Sequence, residues 1–126
     1  MKRKWRFISF KLCDDDPSFV EIDKCGVRDC SFEDFCDNVP EDGARWIIYD
    51  FEYSKIDTGK ELFLTKIILI IYTPQPAPIK HKTTITYQKQ LLKQNITAKT
   101  GVNPSFMEYK ANSHSDINYK SILKKC

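Results

Sequence analysis

At 126 residues, 41% hydrophobic and 29% charged, the chain has the length of one domain and enough apolar mass for a core, which excludes wholesale disorder. A formal charge of +3 is too small to make nucleic acid the main partner, although a local basic patch stays open. Met1-Lys2-Arg3-Lys4 runs into Trp5 and Arg6 instead of an apolar leader, and the most apolar run, residues 67–72, is too short to span a bilayer.

Residues 5–12, WRFISFKL, carry apolar side chains on both faces and predict a strand covered on both sides. Cys13-Asp14-Asp15-Asp16-Pro17 predicts a turn, and its aspartates lack the spaced ligands of a calcium loop. Residues 19–23 are expected to return antiparallel. Ser31 is placed to cap a short helix with Asp34 three residues on, and Phe32, Phe35, Cys36 and Val39 form its apolar stripe up to Pro40. Glu41-Asp42-Gly43 turns the chain into a strand over residues 45–53. Residues 54–60 read as an exposed loop, and residues 62–72 as a central strand in which Lys66 must reach an edge or a partner.

Pro74, Pro76 and Pro78 remove backbone donors and stop that strand. The run that follows holds no Gly or Pro, and Ile85, Leu92 and Ile96 recur at helical spacing, so one long helix is expected with that edge in the core. Lys82, Lys89 and Lys93 repeat at the same spacings and form a basic row beside it. Such a row is either a solvated face or a binding ridge. Residues 97–103 read as a loop, residues 106–110 as a short strand, and residues 112–116 as the region of the next N-cap. A last helix over residues 117–125 turns Ile122 and Leu123 inward and ends on Lys124 and Lys125, which suit a helix C-terminus. Strands separated by helices, some paired by short turns, give an α/β (α+β) domain with helices on both faces of a mixed sheet.

Catalytic signatures are absent: the chain has no P-loop, GxGxxG, HExxH or GxSxG motif. Five cysteines, at 13, 25, 30, 36 and 126, form no CxxC pair, and no histidine lies among the closely spaced three. Free thiols in a reducing compartment are expected, with no metal and no cofactor. The reading is a binding protein, not an enzyme, in the cytoplasm.

Tyr72-Thr73-Pro74-Gln75-Pro76-Ala77-Pro78 resembles the aromatic-x-Pro-x-x-Ala-Pro segment of the actin-depolymerising factor/cofilin family, which leads into the long helix that docks on actin. Arg45-Trp46-Ile47-Ile48-Tyr49-Asp50-Phe51-Glu52-Tyr53 is similar to the family's Arg-Tyr-x-x-Tyr-Asp-x-x-Tyr strand, and Ser115-Asp116-Ile117-Asn118-Tyr119-Lys120-Ser121-Ile122-Leu123 to its closing helix. The resemblance implies a central mixed sheet of about five strands sandwiched by helices. It implies a monomeric partner of actin monomers and filaments that severs or depolymerises filaments, located in the cytoplasm with the actin cytoskeleton and, in some members, the nucleus. Carried over by position, the docking helix would use Lys80, Lys82, Thr83, Thr86, Tyr87, Lys89, Gln90 and Lys93. A second, filament-side surface would use Lys66, Lys124 and Lys125, although the family usually has an acid at the position of Lys124. The lysine row would also suit phosphoinositide headgroups.

Departures from the family pattern fall on the same helix. Thr83 replaces a methionine or similar residue, Thr86-Tyr87-Gln88 replaces a run of small residues, and Gln90 replaces an aspartate. These changes leave a scaffold that has lost actin as the competing expectation. The family also opens with a helix and often a regulatory serine, where this chain begins almost at its first strand. The expected domain, residues 1–126, is therefore an N-terminally shortened one with one sheet face partly bare, and control through that serine does not carry over.

Overall fold

A computed structural model describes residues 5–12, 20–100 and 107–125. Branched and aromatic residues build five strands, β1 (Trp5–Leu12), β2 (Val20–Val27), β3 (Arg45–Asp57), β4 (Lys60–Tyr72) and β5 (Met107–Ala111), in the spatial order β2-β1-β3-β4-β5. All neighbours are antiparallel except β4 and β5, which makes the sheet mixed. Among the described residues four helices accompany it: α1 (Phe32–Asp37), α2 (Ile79–Tyr87), α3 (Lys89–Thr100) and α4 (Tyr119–Lys125), with a 3-10 turn at His114–Asp116.

Successive strand residues point to opposite faces, so the Ile-rich interior strands supply two cores at once. Ile47, Tyr49, Ile68 and Ile70 meet Phe35 and Val39 from the α1 segment and Ile122 from α4. Trp46, Leu69 and Ile71 meet Ala77, Ile85 and Leu92 under α2 and α3. Strand β1 feeds both, with Phe7 in the first and Phe10 and Leu12 in the second, as its two-sided apolar pattern requires. On the α2–α3 face, Ile8 and Ile48 lie opposite one another and are only partly covered.

Helix α1 forms as its residues dictate. Ser31 Oγ accepts from Asp34 N at 3.1 Å, and Asp34 Oδ2 accepts from Ser31 N at 3.4 Å, a reciprocal capping box.

Five boundaries differ from expectation, the first being the end of α1, which stops at Asp37 with Asn38 as its C-cap, so that Val39 packs from beyond the helix. Strand β2 runs on to Val27, because Gly26 lets the Phe7 ring lie against the β2 backbone; a Cβ there would stand 2.1 Å from that ring. Residues 54–60 are not a loop: β3 and β4 stay paired out to Asp57 and Lys60, closed by Thr58 and Gly59 at φ 51° and 77°. Two consecutive positive φ values match the right-handed twist of a hairpin, so the tight turn replaces the expected loop. Helix α3 continues to Thr100, past the expected loop start at Thr97. Helix α4 starts two residues late, where Asn118 Oδ1 accepts from Ser121 N at 2.9 Å as an N-cap does, and Ile117 is buried just before it.

The largest difference is in the long helix, which breaks at Gln88 (φ −110°, ψ 36°) into α2 and α3. Gln88 N still donates to Thr84 O at 2.8 Å, and Leu91 N donates to Gln88 O at 2.9 Å, so backbone hydrogen bonding continues on both sides of the break. Two causes converge. The indole N–H of fully buried Trp46 donates to Ile85 O at 2.9 Å, the carbonyl a continuous helix would offer to Lys89 N. Thr83 and Thr84 also turn their hydroxyls onto the carbonyls of Ile79 and Lys80, at 2.9 and 3.0 Å, in a run of four β-branched residues.

The expected turn at Cys13 to Pro17 with its aspartates, the glycine and proline at 101 and 104, and Cys126 lie outside the described residues.

Candidate functional site

The segment after β4 is built to launch α2 at a fixed angle. Thr73 N donates to Ala111 O at 2.9 Å, Pro74 is fully buried, and Ala77 N closes a turn on Pro74 O at 3.0 Å. Pro78, at φ −56°, precedes the helix, and its carbonyl receives Lys82 N at 3.0 Å. Ile85 and Leu92 are fully buried, and Ile96 packs against the same cluster, so the apolar stripe is core as expected.

The outward side follows from that anchoring. Ile79, Thr83 and Tyr87, at i, i+4 and i+8, are all exposed and form one ridge along α2, with Lys80 beside it. Thr86 is half-buried and Gln90 exposed. The structure therefore brings Lys80, Thr83 and Tyr87 together, and it adds Ile79, which sequence spacing did not single out. The available signal was an apolar residue in the helix that falls off the Ile85–Leu92 stripe.

The lysine row is not the uniform ridge its spacing predicted, because the break at Gln88 puts Lys80 and Lys82 on one helix and Lys89 and Lys93 on another. Lys82 Nζ folds back onto Gln75 O at 3.1 Å, and Lys89 Nζ lies 2.5 Å from Glu108 Oε1 on β5. Lys93 is half-buried.

On the second surface, Lys66 lies in β4 opposite Phe51 and is partly exposed, which answers the need for an outlet. Lys124 is exposed on α4, and the Lys125 side chain lies outside the described residues. Between these elements, Tyr119 of α4 packs at a tilt against Phe51 with ring centroids 5.1 Å apart and, with Tyr53, Phe63 and Leu64, lines a shallow recess. At the root of the β3–β4 hairpin, Arg28 reaches the buried Asp50 at 2.7 Å and Glu52 at 3.0 Å, while Arg6 reaches Glu52 at 3.0 Å. The hydrogen bond from Arg6, and then that from Arg28, hold the Glu52 carboxyl below its ordinary range against the opposing effect of desolvation.

Among the described residues Cys25, Cys30 and Cys36 are free thiols, and burial pushes all three pKa values up, away from the reactive thiolate. Among the described residues no group of His, Cys, Asp or Glu is arranged to hold a metal, and no helix is long and apolar enough to cross a membrane.

Comparison with known proteins agrees with this architecture. Residues 1–126 match the family described as cofilin/tropomyosin-type actin-binding protein. The chain is 31% identical to Actin-depolymerizing factor 3 of Zea mays over 96% of its own length and 80% of that protein's. It is 28% identical to actophorin of Entamoeba histolytica, over 99% and 83% respectively. The crystal structure of Streptomyces griseoflavus cofilin superposes with a TM-score of 0.73 at 24% identity, covering 98% of this chain and 83% of that one, which speaks to the fold. The chain belongs to the cofilin/tropomyosin-type actin-binding proteins, the actin-depolymerising factor/cofilin family.

Proposed function

We propose that this chain, acting as one ADF-homology domain over residues 1–126, binds actin monomers and filaments and promotes filament severing and depolymerisation. The observation that carries the reading is the exposed Ile79-Thr83-Tyr87 ridge on a helix whose opposite stripe is locked in the core. The docking face comprises Ile79 with Lys80, Lys82, Thr83, Thr86, Tyr87, Lys89, Gln90 and Lys93. Its apolar knobs supply contact area, and the lysines steer an acidic partner surface more than they add affinity. Severing needs the second surface as well, through Lys66, Lys124 and Lys125. The site of action is the cytoplasmic actin cytoskeleton, and the role is binding, not catalysis.

Pelleting with filamentous actin and titration of monomeric actin test the reading, with Ile79→Ser/Lys80→Glu as the site variant. Binding by the parent and its loss in the variant, with the circular-dichroism spectrum unchanged, is the expected result. Binding that survives the double change moves the site off α2. A second reading, an ADF-homology scaffold that has lost actin, draws on Tyr87, whose exposed ring stands on the face where the family pattern carries small residues. Folded parent protein that neither pellets with filaments nor binds monomer is the outcome that selects the scaffold.

A further inference from the structure

Lys89 is the first residue of α3, and its ammonium lies 2.5 Å from Oε1 of Glu108, the second residue of β5. The two side chains are 39% and 34% exposed, so a partner can reach both without opening the core. Their setting is asymmetric. The first turn of α3 holds no acidic residue, so the Lys89 ammonium sits at the positive end of that helix with nothing local to offset it. The compensating charge comes from Glu108, 19 residues away in the chain. Lys82, another lysine of this face, is tied to a neutral carbonyl and keeps its full charge for a partner. Lys89 is tied to a carboxylate, which cancels it.

We infer that Glu108 is a built-in competitor for the acidic partner surface that the α2–α3 face receives. Docking exchanges the Lys89–Glu108 pair for a pair between Lys89 and a carboxylate of the partner. The partner then gains only the difference between two similar ion pairs, and Glu108 is left to rehydrate. Glu108 therefore lowers affinity and slows association, acting through Lys89. This inference rests on the actin-binding reading above.

The test is a cycle of Glu108→Gln, Lys89→Gln and the double variant in the full chain, measured by pelleting with filamentous actin at two salt concentrations. Glu108→Gln is expected to tighten binding by up to about fivefold, the upper end of the range open to a partly exposed ion pair. That gain should shrink at high salt. Lys89→Gln should weaken binding, and the double variant should match Lys89→Gln. A merely structural role for Glu108 predicts loss, never gain. Unchanged or weaker binding by a folded Glu108→Gln overturns the inference while leaving the actin reading intact. A double variant that gains as much as Glu108→Gln also overturns it, because the effect would then bypass Lys89. If neither the parent nor any variant binds, the actin reading fails and the inference falls with it. Should glutamine at 108 unfold the chain, Glu108→Asp, which keeps the charge but shortens its reach, is expected to move affinity in the same direction by less.

Discussion

Helix α2 and the outer half of the β3–β4 hairpin both carry large apolar side chains into solvent, but they stand on different foundations. Ile79 and Tyr87 are each 77% exposed, and Ile56 and Phe63 are 79% and 80% exposed. Beneath Ile79 and Tyr87, the same helix seats Ile85 in the core without any exposure and receives the Trp46 indole on its backbone. Among the described residues, 53–57 and 60–64 pair only with each other, and a two-stranded ribbon has little stability of its own. The contrast separates exposure backed by a packed layer, which presents a preorganised face, from exposure on a ribbon held by cross-strand pairs. Removing what lies under each region distinguishes the two.

The platform under α2 should give the largest effect. Ile85→Ala removes a fully buried side chain from the cluster with Trp46 and Leu92 and is expected to cost about 2–5 kcal/mol, read from the midpoint of denaturant unfolding. A cost below about 0.5 kcal/mol, the size of an ordinary surface change, would mean that α2 is not anchored as described. Trp46→Phe comes next. It keeps most of the apolar volume but removes the donor to Ile85 O, which then becomes available to Lys89 N. The expected cost is about 1–2 kcal/mol, with a gain in hydrogen-exchange protection at Lys89 as the helix closes across Gln88.

That second variant bears on what the sequence made legible. The strands, the α1 capping box and the Ile85–Leu92 stripe could be read because each depends on local pattern: short runs of branched and aromatic residues, a hydroxyl three residues before an acid, and helical spacing. The break at Gln88 could not, since half of its cause is an indole donated from 39 residues away. The same limit applies to the docking face. Lys80, Thr83 and Tyr87 came only through the family resemblance, carried over by position, while the capture of Lys89 by Glu108 depends on how β5 returns beside β4. In the hairpin the difficulty is local: Ser54, Lys55 and Asp57 look like loop residues because an exposed ribbon has no buried face to enforce alternation.

The turn of that ribbon is the next place to sharpen the contrast. Gly59 has φ 77°, and no atom lies within 4 Å of where a Cβ would stand, so a side chain there meets backbone strain and no clash. Gly59→Val is expected to cost about 1–2 kcal/mol, the strain of holding a branched residue in the left-handed region. Amide exchange should rise along the ribbon while the core strands keep their protection, because the ribbon can fray by itself. Equal loss of protection in β3 near Trp46 would show that ribbon and sheet unfold as one unit.

The smallest effect is expected at the ribbon's most exposed side chain. Phe63→Ser removes a ring that is 80% exposed in the folded chain, so little apolar burial is lost and stability should change by no more than about 0.5 kcal/mol. Ile85 and Phe63 are both large and apolar, yet the expected costs differ by severalfold because only one of them leaves a cavity. Thermal unfolding of the two variants side by side makes the comparison directly. A large loss from Phe63→Ser would mean that the ring covers apolar surface in the ensemble, drawing the ribbon down onto Tyr53 and Tyr119 across the recess they share. A negligible loss leaves Phe63 as a side chain whose apolar surface is still available to a partner, standing on an element far softer than α2.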